Sequence, residues 1–436
     1  MSFPQKVKST LWAIVDTMAC NTAQFVKNPE KDFTRDRKLG FVQLIHFFLS
    51  MASGCISHEL LKYFYFLPDE VPTASAFIQQ RSKLLPETFR HILGQFNLRF
   101  PPKGLMGRYS LIAADGCEFN IARNPQGPST FHPTSGRPNK VFNSLHTVSL
   151  YGLLSKRYLD VVIQPGRPKN EFAALCRMIE RYSYGGCPAF VADSGFASYN
   201  VFAHVFEKGC FFAIRAKDIN VKRLLAANSL PGQMDQWADV ILTRSNAKKK
   251  RLHPELGSLY RFICKKVPFG FITDSCPEYH MRLRVVRFQI AEGVYENIIT
   301  NLPSDEFSLG QVKHIYHLRW GQETSFRDLK HTIGTANFHS KSPQYIEFGI
   351  LCRMALYNFC TIITMEVPIE KKTAKWEYQV NLSMAIKICF AFLSDQMEPG
   401  NVNDLISRYV LPIRPDRTYA RQLRFQVPAS FAYRFV

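Results

Sequence analysis

The pattern of the chain changes at Pro101-Pro102-Lys103-Gly104, and this break does most to restrict the fold. Before it, apolar residues recur at helical spacing between short polar punctuations. The basic-acidic run Phe33-Thr34-Arg35-Asp36-Arg37-Lys38 precedes a helix over about 39–51, Ser57 caps one through residue 66, Pro72-Thr73 opens one over 74–84, and Pro86 starts a fourth through residue 97. After it, a short apolar run at 110–114 stops at Asp115-Gly116, and 145–151 and 158–164 alternate as a hairpin of strands. A helix follows at 171–181, a buried strand at 189–192 stops at Asp193-Ser194-Gly195, and a helix at 199–208 leads to a strand at 210–214. Strands followed by alternating helix and strand predict an α/β fold on a mixed sheet.

Further segments attach to that unit. Residues 217–303 contain strand-like runs at 237–243, 260–264, 281–290 and 295–301, so they read as a β-rich insertion, with a basic tip at Lys248, Lys249, Lys250 and Arg251. Helix returns over about 309–333, 346–365 and 377–393, and the tail carries Arg414, Arg417, Arg421, Arg424 and Arg434. The chain is therefore expected to divide into a helical N-terminal domain (1–100), the first part of a sheet domain (105–216), the insertion (217–303), the second part of the sheet domain (304–366) and a helical C-terminal region (367–436).

Charge narrows the partners. Lys and Arg number 55 against 35 acidic residues, a formal net charge of +20. Such an excess suits a polyanion, and nucleic acid is the expected partner, with the N-terminal helices as one candidate surface. The 11 cysteines are odd in number and scattered through apolar segments, and no CxxC pair occurs. They read as buried thiols of a reducing compartment, the cytoplasm, and not as a zinc site. The most apolar windows, 41–56 and 348–365, are interrupted by Gln43 and His46 and by Arg353 and Asn358. Both fall short of the roughly 20 apolar residues of a membrane span, so both are expected in the core and no membrane partner is expected.

Two regions could carry chemistry. Tyr316, Arg319, Glu323 and Lys330 recur on the helix after Ser308 at offsets that, at about 100° per residue, fall within roughly a 60° arc. Spacing alone would fit a solvated, charge-paired face. Asp115 and Asp193 change that balance, because each follows an apolar strand directly before a glycine-containing turn, and neighbouring strand ends open onto one crevice. With Glu323 they would form a three-carboxylate cluster that needs cations, and hard oxygen donors suit Mg²⁺ or Mn²⁺.

At these residues the chain resembles the DDE transposases of the insertion sequence 4 family. The family's Tyr-x2-Arg-x3-Glu-x6-Lys signature stands as Tyr316, Arg319, Glu323 and Lys330, the first aspartate as Ala114-Asp115-Gly116, and the second as Asp193-Ser194-Gly195-Phe196. Ser194, Cys117 and Gln322 depart from the residues frequent in the family at those positions. The resemblance implies a ribonuclease-H-like catalytic domain with a β insertion before the catalytic glutamate. It implies two Mg²⁺ ions, replaceable by Mn²⁺, on Asp115, Asp193 and Glu323. Double-stranded DNA is the implied partner, at transposon ends and target, with a homodimer pairing two ends on a bacterial nucleoid. Tyr316, Arg319 and Lys330 would hold phosphates, Trp320 would stack an unstacked base, and the tip at Lys248–Arg251 would touch DNA backbone. Two alternatives stand beside this: an endonuclease of related fold without strand transfer, and a non-catalytic DNA-binding protein derived from a transposase.

Overall fold

In a computed structural model of the chain, the residues described are 1–52, 54–101, 104–132, 142–245, 257–334, 338–369 and 377–413. The basic tip Lys248, Lys249, Lys250 and Arg251 and the Arg-rich tail lie outside them.

Five helices open the chain: α1 (Phe3–Ala19), α2 (Phe41–Ser50), α3 (Ile56–Tyr63), α4 (Ala74–Arg81) and α5 (Glu87–Arg99). Local chemistry sets their starts. The Ser2 hydroxyl accepts from the Gln5 N–H, with Pro4 in the first turn, and the Thr73 hydroxyl accepts from the Ala76 N–H. On α1 the apolar residues Val7, Leu11, Ile14, Val15 and Met18 make one buried stripe.

The described residues contain a 10-stranded sheet. Its strands are β1 (Tyr109–Ile121), β2 (Phe131–His132), β3 (Phe142–Gly152), β4 (Arg157–Pro165), β5 (Cys187–Ala192), β6 (Phe211–Ala216), β7 (Met234–Thr243), β8 (Tyr260–Phe262), β9 (Glu278–Ala291) and β10 (Val294–Thr300). The order is β2-β3-β1-β5-β6-β10-β9-β7-β8, with β4 also on β3. β1, β5 and β6 run parallel, and β3 and β4 join antiparallel as the expected hairpin. The strands of the 217–303 segment do not form a second sheet. They continue this one, because β10 pairs antiparallel with β6 from Asn297–Ala216 to Thr300–Ala213.

The two-residue alternation of β1 and β5 splits the core. Ile112, Ala114, Phe190 and Ala192 face one side, packed with α6 (Glu171–Arg181) and α7 (Tyr199–Glu207). Leu111, Ala113, Ala189 and Val191 face the other, in the same apolar cluster as the N-terminal helices. Three elements complete that second layer: α9 (Leu309–Leu318), α10 (Trp320–Arg327) and α11 (Pro343–Met365), after the short α8 (Asp218–Leu225). Two further helices, α12 (Leu382–Leu393) and α13 (Asn401–Arg408), and a small hairpin of β11 (Glu377–Val380) with β12 (Val410–Ile413) follow.

Helix α11 is long and apolar enough to cross a membrane, but 89% of its most apolar window is buried inside the structure. Its polar residues are matched there. Asn358 donates to the Tyr158 carbonyl and to Asn97 Oδ1, while its own Oδ1 accepts from the Tyr158 N–H. The helix thereby joins α5 to β4 through buried hydrogen bonds.

Four expectations need correction. Cys55 and not Ser57 precedes α3, and Glu377–Val380 is strand β11 and not the start of a helix, which begins at Leu382 after the Asn381 cap. Asp115-Gly116 is not a turn, since β1 runs on to Ile121. Glycine suits this position for a different reason: a Cβ on Gly116 would lie 2.9 Å from His146 Nε2 and 3.0 Å from Glu171 Oε1, so both side chains would have to shift. The signature helix is also not one unbroken helix. It is interrupted at Arg319, with the Arg319 N–H on the Tyr316 carbonyl and the Gln322 N–H on the Arg319 carbonyl, and it widens to a π-turn over Asp328–Thr332.

Candidate active site

The parallel register of β1 and β5 aligns Ala114 with Ala192, so Asp115 and Asp193 stand one step further on, side by side. Adjacent strands are about 4.8 Å apart, and alternation turns both aspartates to the face covered by α9 and α10. Each carboxylate is held by a nearby amide. Asp115 Oδ1 accepts from the Gly116 N–H at 2.8 Å, and Asp193 Oδ1 accepts from the Gly195 N–H at 2.9 Å, capping the short turn Ser194–Phe196.

Arg319 links this pair to the helix. Its Nη1 donates to Asp115 Oδ2 at 3.4 Å and its Nη2 to Glu323 Oε1 at 3.0 Å. The guanidinium is buried, with 8% side-chain exposure, and lies 5.7 Å from the Tyr316 ring centre and 5.6 Å from that of Trp320. Burial pushes the Asp115 carboxyl up to about 6. Asp193 and Glu323 push it the same way, while the Gly116 N–H and Arg319 oppose. The structure thus brings Asp115, Asp193, Arg319 and Glu323 into one electrostatic neighbourhood.

The other predicted residues fall at different places. Tyr316 is 4% exposed; its ring lies against the Arg319 guanidinium, and the residue also lines the cavity that Trp320 borders. Trp320 is 51% exposed and borders a cavity of about 290 Å³ with Phe288, Ile290, Lys313, His314 and His317. Lys330, on the π-turn, places its ammonium 5.2 Å from the Phe119 ring and beside the Cys117 thiol of β1.

Sequence reasoning missed some supports. Gln322 is buried and donates to the Ser149 carbonyl at 3.0 Å and to its hydroxyl at 3.1 Å, pinning α10 to β3. Its departure from an apolar residue was visible, but its partner was not. The His146–Glu171 pair behind Gly116 gave no signal, because His146 lies in an ordinary alternating strand and Glu171 in the first turn of a helix.

Two carboxylates on one guanidinium, with Asp193 beside Asp115, leave a net negative space made of hard oxygen donors, which fits a divalent cation in chemistry. Among the described residues, however, no three His, Cys, Asp or Glu side chains stand close enough to share one metal ion. Arg319 sits where Asp115 and Glu323 would otherwise converge.

Comparison with known proteins agrees on the class. Residues 107–359, more than half of the chain, match the family described as "Transposase DDE domain". The chain belongs to this DDE transposase family, and transposition of DNA elements is the activity with which that family is associated. Among solved structures it is similar to the cryo-EM structure of the piggyBac transposase synaptic complex with hairpin DNA. That match has 11% identity and a TM-score of 0.44, and it covers 93% of this chain and 84% of that one. No curated protein sequence matches the chain.

Proposed function

We propose that the chain is a transposase of the insertion sequence 4 type, which cuts DNA at the ends of an insertion sequence and joins the 3′-hydroxyl ends to target DNA. The observation that carries this is the placement of Asp115 and Asp193 on adjacent parallel strands, facing one side, with Glu323 tied to Asp115 through Arg319. The strand order β4-β3-β1-β5-β6, antiparallel then parallel, supports a ribonuclease-H-like catalytic unit. The charge of +20 supports double-stranded DNA as substrate, and two ends joined to one target call for two protomers.

Asp115, Asp193 and Glu323 would hold two Mg²⁺, with Mn²⁺ as a substitute, which when bound lower the charge on a phosphodiester under attack. The chain's own residues then have separable tasks. Arg319 and Lys330 offer charge to the phosphates on either side of the scissile bond. Trp320, half exposed beside an open cavity, offers a face to an unstacked base. Tyr316 and Gln322 fix the segment that carries them. Free thiols at all 11 cysteines support action in the reducing cytoplasm.

Incubation with Mg²⁺ and DNA carrying the element's own ends, with nicks, hairpins and joined products mapped, tests the reading. Joined 3′ ends support it. Nicks without joining would make the chain an endonuclease, and binding without nicks would make it a DNA-binding derivative.

A further inference from the structure

The guanidinium of Arg319 and a metal ion compete for the same oxygens. Arg319 Nη1 and Nη2 take Asp115 Oδ2 and Glu323 Oε1, the two carboxylates that come from different elements and must be drawn together to share a cation. Its Nε has no hydrogen-bond partner although it is buried, so the two carboxylates and the flanking Tyr316 and Trp320 rings account for its position. A cation of fixed charge in this position relieves repulsion among Asp115, Asp193 and Glu323. It also blocks convergence of the three on an ion, consistent with the lack of any three-ligand cluster among the described residues.

The helix changes its hydrogen bonding at this residue. Arg319 is the residue between α9 and α10; its backbone stays right-handed helical but follows three-residue hydrogen bonding. Beside it Trp320 is half exposed, and on that side lies the open cavity of about 290 Å³.

We propose that Arg319 is an internal stand-in for the metal: it neutralises the carboxylates in the DNA-free protein and is expelled when a divalent cation enters, which turns it outward toward the DNA backbone. This rests on the reading of Asp115, Asp193 and Glu323 as metal ligands. Metal entry and the capture of a phosphate are then coupled through one side chain, because the oxygens that Arg319 loses to the ion are replaced by those of the phosphate. In the metal-free protein the same arginine is unavailable to DNA.

The test uses the full chain without DNA and reads binding and accessibility. Calorimetric titration with Mn²⁺ compares wild type with Arg319→Gln and with Arg319→Met, each checked for an unchanged melting profile. Removing the competing cation should tighten Mn²⁺ by at least about tenfold. Lys330→Gln removes a positive charge that sits against Phe119 and Cys117 instead, and it should leave the affinity within about twofold. In parallel, wild type is treated with a dicarbonyl reagent that modifies exposed guanidinium groups, and Arg319 is followed by peptide mass spectrometry. Modification of Arg319 should be slow without metal, rise several-fold with Mn²⁺, and fall again when duplex DNA is added. The wild-type labelling needs no variant, so a poorly folded substitution does not leave the question open. Equal Mn²⁺ affinity in wild type and both Arg319 variants, or Mn²⁺ binding with Arg319 still protected, overturns the stand-in role alone. No Mn²⁺ binding by any of the proteins overturns the metal reading and this role with it.

Discussion

Asp115 shows how much a single residue can reveal and conceal. The sequence marks it as a candidate site residue, because an apolar strand is followed by Asp-Gly. The reason for the glycine is not legible there, because the crossing pair comes from β3 and α6, far away in sequence. Two outcomes follow at this scale. Gly116→Ala puts a methyl carbon at 2.9 Å from His146 Nε2, and it should cost about 1–3 kcal/mol in urea unfolding. Gly116→Ala combined with His146→Ala should recover part of that loss, and strict additivity of the two would show that they do not clash. The second outcome concerns pH. The Asp115 carboxyl is raised to about 6 from 3.8, so the folded state binds its proton more tightly than the unfolded one. Its contribution is therefore most favourable below pH 4, and it is lost as pH rises through about 6. A shift of that size is worth on the order of 3 kcal/mol. Asp115→Asn should accordingly gain thermal stability over metal-free wild type as pH rises from 5 to 7.5. A melting difference that stays flat with pH would remove burial as the dominant influence on Asp115.

At the scale of elements, the segment from Ser308 to Thr332 carries the argument. Its helical nature and its start after Ser308 were legible, and the structure adds a reciprocal cap between Ser308 and Gln311. The break at Arg319 and the π-turn at Asp328–Thr332 were not legible, because neither leaves a mark in the residue spacing; their side chains meet partners far off in sequence, Asp115 for Arg319 and Phe119 for Lys330. An even 100° step puts Tyr316 on the same face as Arg319 and Glu323, and in the structure its largely buried ring lies against Arg319. Gln322 holds this segment to β3, so Gln322→Ala should cost about 2 kcal/mol, from two lost hydrogen bonds and a buried hydroxyl left with fewer partners. Cleavage should fall further than stability explains, because Arg319 and Glu323 flank it. A Gln322→Ala protein that melts early but cuts normally would confine its role to packing.

On the scale of the whole molecule, composition bears on the proposed partner and the change of pattern on the layout. The excess of Lys and Arg predicts that DNA affinity drops roughly 10³-fold or more between 50 and 200 mM salt, measured by fluorescence anisotropy on any duplex. A nearly flat titration would mean that the charge does not face DNA. The change of pattern near residue 101 was legible, yet it is not a gap in the core: the apolar cluster that contains Val7 and Leu44 also contains Ala113, Leu356 and Ile406. Deleting residues 1–100 should therefore leave a chain that lacks near-ultraviolet circular dichroism and binds hydrophobic dyes. A cooperative melt of that fragment would show that the sheet holds together without the first five helices.

The buried link of Asn97 to Asn358 sets a timetable for synthesis. The first helices leave the ribosome early with their apolar faces uncovered, because the helix that covers them ends at Met365. At about 5–20 residues per second, tens of seconds separate the two. During that wait the nascent N-terminal segment presents sticky surface and must be shielded by a chaperone or by weak provisional pairing among α1, α2 and α5. A cell that elongates faster, or a gene whose middle third is translated with fewer pauses, shortens the exposed interval and raises the share of chains that reach the native state.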